Sequence, residues 1–133
     1  MTTILIPVSV GELIDKITIL KIKSEKINDE NKLKNVRKEY ELLIDIMNKI
    51  NITENDDLFI KLYDLNLEFW NYHDWQREKW KNNLNNNMID IELYKANKNE
   101  HILNDKRAEI KKNINLKYNS DIVEEKQFIS YNI

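Results

Sequence analysis

The sequence predicts an all-α protein: an antiparallel bundle of about four long helices, built as two helical hairpins, with short extended N- and C-terminal segments. Three observations lead there. The chain has a single glycine and a single proline in 133 residues, so it has few tight turns, which favours long helices over a many-stranded sheet. Apolar residues recur at steps of three and four through several long stretches, the spacing of a helix stripe. Helix-start signals precede those stretches, and the best specified is Ser9 three residues before Glu12. There the serine hydroxyl can accept from the Glu12 N–H while the Glu12 carboxylate reaches back to the Ser9 N–H, a capping box.

Each element follows from local pattern. Ile4 to Val8 is a short β-prone run around Pro7, an extended arm or edge strand. A first helix from about Val10 to Ile27 carries Val10, Leu13, Ile14, Ile17 and Leu20 on one stripe. Asp29 can cap a second helix, from about Glu30 to Lys49, with Leu33, Val36, Tyr40, Leu43, Met47 and Ile50 on one face. The connection between these two is only a few residues, so they pack as a hairpin. After a break over Asn51 to Asp57, with Thr53 as a possible cap, a third helix runs from about Glu54 to Lys81. Its stripe is Leu58, Leu62, Leu65, Phe69 and Tyr72. The asparagine-rich stretch NNLNNN, 82–87, reads as a linker. A fourth helix, from about Met88 to Tyr118, has the thinner stripe Ile89, Leu93, Ala96, Leu103, Ile110 and Ile114. The terminal run FISYNI is β-prone and is a candidate to pair with the Ile4 to Val8 arm.

Composition narrows the function classes. At 133 residues the chain, 1–133, is expected to be one helical domain. With 41% hydrophobic and 33% charged residues it has enough apolar surface to fold and is not expected to be disordered. A net charge of −2 argues against nucleic acid or an anionic membrane as partner. Cysteine is absent, which removes disulfides, a thiol nucleophile and thiolate-ligated zinc. No window approaches the roughly 20 apolar residues of a membrane helix, and the opening MTTILIPVSV lacks a basic leader. A cytoplasmic protein is the expectation.

No catalytic signature stands out, and no cofactor is implied. One glycine cannot build a phosphate-cradling loop. His73 and His101 fall on different helices, and two histidines alone make no metal site, so none is expected. His73 beside Asp74 is either a proton-transfer pair or a plain boundary residue. Three constellations carry more. Asn97, Glu100, Asn104, Arg107 and Lys111 share one face of the fourth helix, either as a solvated surface or as the wall of a polar cleft. Trp70, Asp74 and Arg77 form either a clamp for a planar anion or a surface ion pair. Glu12, Asp15, Lys16 and Lys23 flank the first helix, with Glu12 and Lys16 at the i,i+4 spacing of an ordinary helix pair. Arginine is scarce beside lysine, so Arg37, Arg77 and Arg107 are candidates for sites that need the planar guanidinium fork. Trp70, Trp75 and Trp80 recur with period five and cannot all face one core. At least one is expected at the surface, as an interface anchor.

The segments PVSVGELIDKITILKIKSEKI, KLKNVRKEYELL, LNDKRAEIKKNIN and VEEKQF resemble an uncharacterised family of small helical bacterial and phage proteins, a domain of unknown function. The resemblance covers Ile4 to about Phe128. It implies a helical protein from a family whose members are sometimes encoded near glycosyltransferase or surface-polysaccharide genes. It singles out Glu12, Asp15, Lys16, Lys23, Asn35, Arg37, Asp74, Arg77, Asn104, Arg107, Glu124 and Glu125, without giving them roles. In the family pattern a tryptophan is followed by acids and an arginine; here these are Trp70, Asp74 and Arg77, with His73 in place of an acid. The opening ELIDKI is also similar to the helical chorismate mutases, but the arginine expected early in that helix is missing, so only the fold class is analogous.

Two readings of function follow. In the first, the protein is a helical interaction or scaffold module, a homodimer that docks on a protein partner through Trp70, Trp75 and Trp80. In the second, it is a small enzyme or binding protein for an anionic metabolite such as a sugar nucleotide. Glu12, Lys16, Arg37, Asp74, Arg77, Asn104, Arg107 and Glu124 are then the candidate ligand-binding residues. The sequence leaves open whether the protein is an enzyme.

Overall fold

A computed structural model describes residues 1–83 and 90–127. The described residues form four α-helices and no strand: α1 (Val10–Lys26), α2 (Glu30–Lys49), α3 (Asp57–Asn83) and α4 (Ile91–Lys117). The all-α, two-hairpin expectation therefore holds. α1 lies against each of the other three helices, α3 and α4 also pack together, and α2 runs along α1. This follows from the sequence of α1, whose apolar residues cover a wide arc of the helix. Leu13, Ile14, Ile17, Leu20 and Ile22 are all buried, the pattern of a helix surrounded by others.

The main core joins Leu13, Ile14 and Ile17 to Met47, Ile52, Phe59, Leu62 and Ile114. A second cluster, Leu65, Phe69 and Leu103, ties α3 to α4 farther along. α2 contributes little. Only Leu33 and Met47 are buried, and Ile50, expected on its apolar face, falls just past the last turn and is exposed. Among the described residues no helix is long and apolar enough to cross a membrane.

Helix ends show how a chain with one glycine makes its turns. α2 closes with Asn51 at φ 61°, while Asn51 N–H donates to Asn48 O (3.0 Å) and Ile52 N–H to Met47 O (3.2 Å). α4 closes the same way: Asn119 sits at φ 52°, and Ser120 N–H donates to Asn115 O (2.8 Å). Both are left-handed caps of the Schellman type, with asparagine where glycine is usual. α3 starts differently from expectation. Its cap is Asp56, whose Oδ1 accepts from Leu58 N–H (2.9 Å) and Phe59 N–H (3.1 Å). Thr53 caps only the preceding turn, through Asn55 N–H (3.3 Å). A carboxylate at the helix start also suits the helix dipole. Asp90 caps α4 in the same manner, through Glu92 N–H (2.9 Å) and Leu93 N–H (3.3 Å). The expected start at Met88, the Ile89 position, most of the NNLNNN linker and the FISYNI run lie outside the described residues. The N-terminal arm belongs to no helix or strand and is exposed at Ile4, Leu5 and Ile6.

The N-terminus of α1 docks on the C-terminus of α4. Glu12 N–H donates to Ser9 Oγ (3.1 Å), Gly11 N–H to Asn115 Oδ1 (2.6 Å) and Val10 N–H to Ser120 Oγ (3.0 Å). These are first-turn donors that a helix cannot satisfy by itself. Half of the expected capping box forms, because the Glu12 carboxylate turns to Lys111 (2.7 Å) and not back to Ser9. A Cβ on Gly11 would lie 2.6 Å from the Lys111 carbonyl oxygen, so the only glycine stands where the two helix backbones approach closely.

Two outcomes are expected. Gly11→Ala gains helix propensity of at most about 1 kcal/mol, but it overpacks a contact with backbone, which costs about 1–3 kcal/mol. The variant should unfold at lower urea concentration than the parent; an unchanged or raised midpoint would show that α4 moves aside freely. The second concerns Asp56, almost fully buried, which meets Lys117 Nζ (2.8 Å) and the Tyr118 hydroxyl. Burial alone would raise its pKa, but its bonds to Lys117, Tyr118 and the Phe59 and Leu58 N–H groups outweigh that and hold it below the ordinary value. A carboxyl depressed in the folded state stabilises above its unfolded pKa of about 3.9 and loses that contribution as pH falls through the lower folded value. Urea midpoints should therefore drop below about pH 4, and Asp56→Asn should flatten the drop while lowering stability at neutral pH.

Candidate functional site

A polar seam runs where α1, α3 and α4 meet. It begins with Asp15 on α1, a carboxylate only 8% exposed. A buried carboxylate must be hydrogen-bonded or it destabilises the fold by several kcal/mol. Asp15 Oδ1 accepts from Asn66 Nδ2 on α3 (2.8 Å), and Oδ2 lies 3.8 Å from Lys111 Nζ on α4. Asn66 Nδ2 also donates to Thr18 Oγ1 (2.9 Å), and Thr18 in turn donates to the Asp15 carbonyl (2.8 Å).

The far side of Asn66 sets the position of Arg107. Asn66 Oδ1 accepts from Arg107 Nη1 (3.3 Å), and Asn104 Oδ1 accepts from Nη2 (2.7 Å). The guanidinium also lies 4.4 Å from the centre of the Phe69 ring. Amides and an aromatic face thus hold its plane, and these partners carry no charge to cancel its own.

Lys111 is more heavily compensated. Its Nζ lies 2.7 Å from Glu12, 3.8 Å from Asp15 and 3.5 Å from Glu124 on the segment after α4. Burial by itself would lower the lysine pKa; the bond to Glu12 and the charges of Asp15, Glu12 and Glu124 raise it above its ordinary value. The charge of Lys111 in turn holds the Glu124 carboxyl below the usual range. Glu12, Asp15, Ile19, Asn104, Asp105, Arg107, Ala108, Lys111 and Lys126 line a cleft of about 430 Å³. A neighbouring cleft of about 360 Å³ shares Asp105, Ala108, Lys111 and Lys126, and is also lined by Glu124 and Glu125.

Farther along α3 and α4 the seam continues into His73 and Glu100, with Nε2 and Oε1 at 3.0 Å. The His73 ring lies between Phe69 and Tyr72, with centroids 5.9 and 5.8 Å away. Gln76, buried, donates to the Tyr72 hydroxyl (3.2 Å).

The structure brings together Glu12, Asn104, Arg107 and Glu124 of the residues expected at a ligand site, and leaves the others apart. Lys16 is exposed on α1, since its expected partner Glu12 turns to Lys111. Arg37 stands exposed on α2, 3.8 Å from Glu30, away from the seam of α1, α3 and α4. Arg77 pairs with Asp74 at 3.7 Å, both well exposed, as a surface i,i+3 pair. Asp74 is therefore not the partner of His73. The three arginines do not converge: one lies in the cleft and two are at separate surfaces. Trp70 and Trp75 are half-buried, with Trp75 stacked on Tyr72 at 6.0 Å, and Trp80 is exposed. Of the face read on α4, Asn104, Arg107 and Lys111 line the cleft, Glu100 meets His73 and Asn97 is exposed.

Sequence reasoning gave no weight to Asn66, Thr18 or Asn115. Asn66 did leave a signal, as a polar residue inside the apolar stripe Leu62, Leu65 and Phe69. Thr18 and Asn115 left none, since each becomes polar glue only once α1, α3 and α4 are assembled.

Searches of curated proteins and of solved structures gave no match. Residues 4–132 match the model of a family of unknown function, DUF6165, and the chain belongs to that family.

Proposed function

We propose that the protein binds a small anionic, hydroxyl-bearing metabolite in the cleft between α1 and α4. The observation that carries this reading is Arg107, a guanidinium fixed in orientation by Asn66, Asn104 and Phe69, none of which is charged. Such a group matches a carboxylate or phosphate in a two-bond fork. The cleft volume of about 430 Å³ falls within the range usual for small-molecule pockets. Its opposite wall offers the Glu12 carboxylate, an acceptor for ligand hydroxyls. A phosphate and hydroxyls on one molecule describe a sugar phosphate or sugar nucleotide. The buried chain from Asp15 through Asn66 to Arg107 supports the same reading, because a bundle seam is stabilised as well or better by apolar side chains.

Thermal-shift measurements on the full chain against sugar phosphates, sugar nucleotides and dicarboxylates test this. A ligand at about 100 times its Kd stabilises the folded state by about 2.7 kcal/mol, which is several degrees in Tm. Arg107→Lys, which keeps the charge and loses the fork, should weaken binding at least about tenfold. If Arg107→Lys lowers stability but binds as the parent does, Arg107 is a structural tie and the reading fails. It fails equally if no ligand of these classes raises Tm.

The exposed apolar residues Trp80, Ile91 and Tyr94, near the end of the α3–α4 hairpin, favour a second reading. In it the protein is an interaction module that self-associates there as a homodimer, with tryptophan as anchor. Sedimentation should then report a dimer that Trp80→Glu converts to monomer. A parent protein that is monomeric at high concentration removes this reading.

A further inference from the structure

We propose that the segment after α4, residues 120–127, holds the Glu124 carboxylate over Lys111 as an internal competitor, which an anionic ligand must displace to occupy the cleft fully. The inference rests on the anion-binding reading of the cleft. Its basis is the way this segment is held. Ser120 is fixed: its N–H donates to Asn115 O (2.8 Å), and its Oγ accepts from Val10 N–H (3.0 Å) and donates to Ile122 O (2.6 Å). From Asp121 to Gln127 the residues are exposed and belong to no helix. Within that stretch the ion pairs run through Glu124, to Lys111 at 3.5 Å and to Lys126 at 3.4 Å.

Lys111 does not need Glu124. It already has Glu12 at 2.7 Å, and Asp15 at 3.8 Å is fixed in place by Asn66. Glu124 is the carboxylate of the three that sits outside the helices, on an exposed segment, and it is about half exposed. At 3.5 Å, with its carboxylate half exposed to water, this pair is weaker than the 2.7 Å bond from Lys111 to Glu12 and is the one an incoming anion can replace. The same displacement has a geometric effect. Lys126, held to Glu124, lines both the 430 Å³ and the 360 Å³ cleft, so moving the segment joins two spaces that meet at Lys111. A closed form that must open first reduces apparent affinity by the fraction of molecules already open, and removing the competitor restores it.

Glu124→Gln keeps the shape of the side chain and removes its charge. Calorimetric titration of the full chain with inorganic phosphate at low salt should show this variant binding about three- to tenfold more tightly than the parent. Amide exchange over residues 121–127 should speed up when phosphate is added to the parent. Equal or weaker binding by Glu124→Gln overturns the proposal. If Arg107→Lys loses phosphate at the same time, the cleft reading stands and only the competitor falls. If parent and Glu124→Gln both fail to bind phosphate, the competitor falls, and the ligand screen decides the cleft separately.

Discussion

The structure depends on how the first turn of α1 is satisfied. Helix N-termini expose N–H groups that need partners from elsewhere, and here the end of α4 supplies two of them, Asn115 Oδ1 for Gly11 and Ser120 Oγ for Val10. The positive end of one helix dipole thereby meets the negative end of another. Only glycine allows the approach, since any Cβ at position 11 would run into the Lys111 carbonyl. This contact places Lys111 beside Glu12, the next residue along α1. Moving one turn along each helix brings Asp15 to the same ammonium and Arg107 to the cleft mouth. The cleft is therefore a consequence of the docking point and of helix periodicity.

The seam shows a division of labour between two kinds of polar contact. Asp15, Thr18 and Asn66 are buried and bond one another, the Asn66 amide donating to the Asp15 carboxylate and to the Thr18 hydroxyl, and that hydroxyl to the Asp15 backbone carbonyl. That part is rigid, because losing any member leaves a buried polar group without a partner. Arg107 and Lys111 stand at its edge, where the cleft opens, and are held by it without being enclosed. A rigid inner network behind oriented outer cations is what pre-organised recognition of an anion requires. α2 takes no part. It covers α1 on the other side and is tied to the following loop by the Tyr40 hydroxyl on Glu54, which also receives Lys21. α3 adds a tie of its own, from the Tyr63 hydroxyl to Glu25 (2.8 Å); burial, with that bond, pushes the tyrosine up to about 12.

Much of the fold was legible because the signals were local. The Ser9 cap, the Asp29 cap and the stripe Leu13, Ile14, Ile17 need no knowledge of the rest of the chain, and the structure keeps them. Boundaries slipped where two residues competed for one role: Thr53 and Asp56 can both cap a helix, and Asp56 won because it also reaches Lys117 and the Tyr118 hydroxyl near the end of α4. The site was legible only on single helices. The spacing of Asn104, Arg107 and Lys111 put them on one face, and Glu12 and Asp15 on another, but nothing in the spacing says that the two faces meet. The scarcity of arginine pointed equally to Arg37, Arg77 and Arg107. Packing separated them, because α2 carries Arg37 away and Arg77 falls on the outer side of α3.

His73 and Glu100 extend the same logic past the cleft. Phe69 is the shared element: Arg107 lies over its ring at 4.4 Å, and His73 approaches it at 5.9 Å. The α3 positions 66, 69 and 73 thus present an amide, an aromatic face and an imidazole in succession. On α4, Arg107 meets both Asn66 and the Phe69 ring, and Glu100 meets His73. Because α3 and α4 run antiparallel, residues advancing on one helix meet residues receding on the other, and a one-turn step keeps each pair in register. The seam is therefore a stack of paired rungs, with Leu103 filling the apolar side at Phe69.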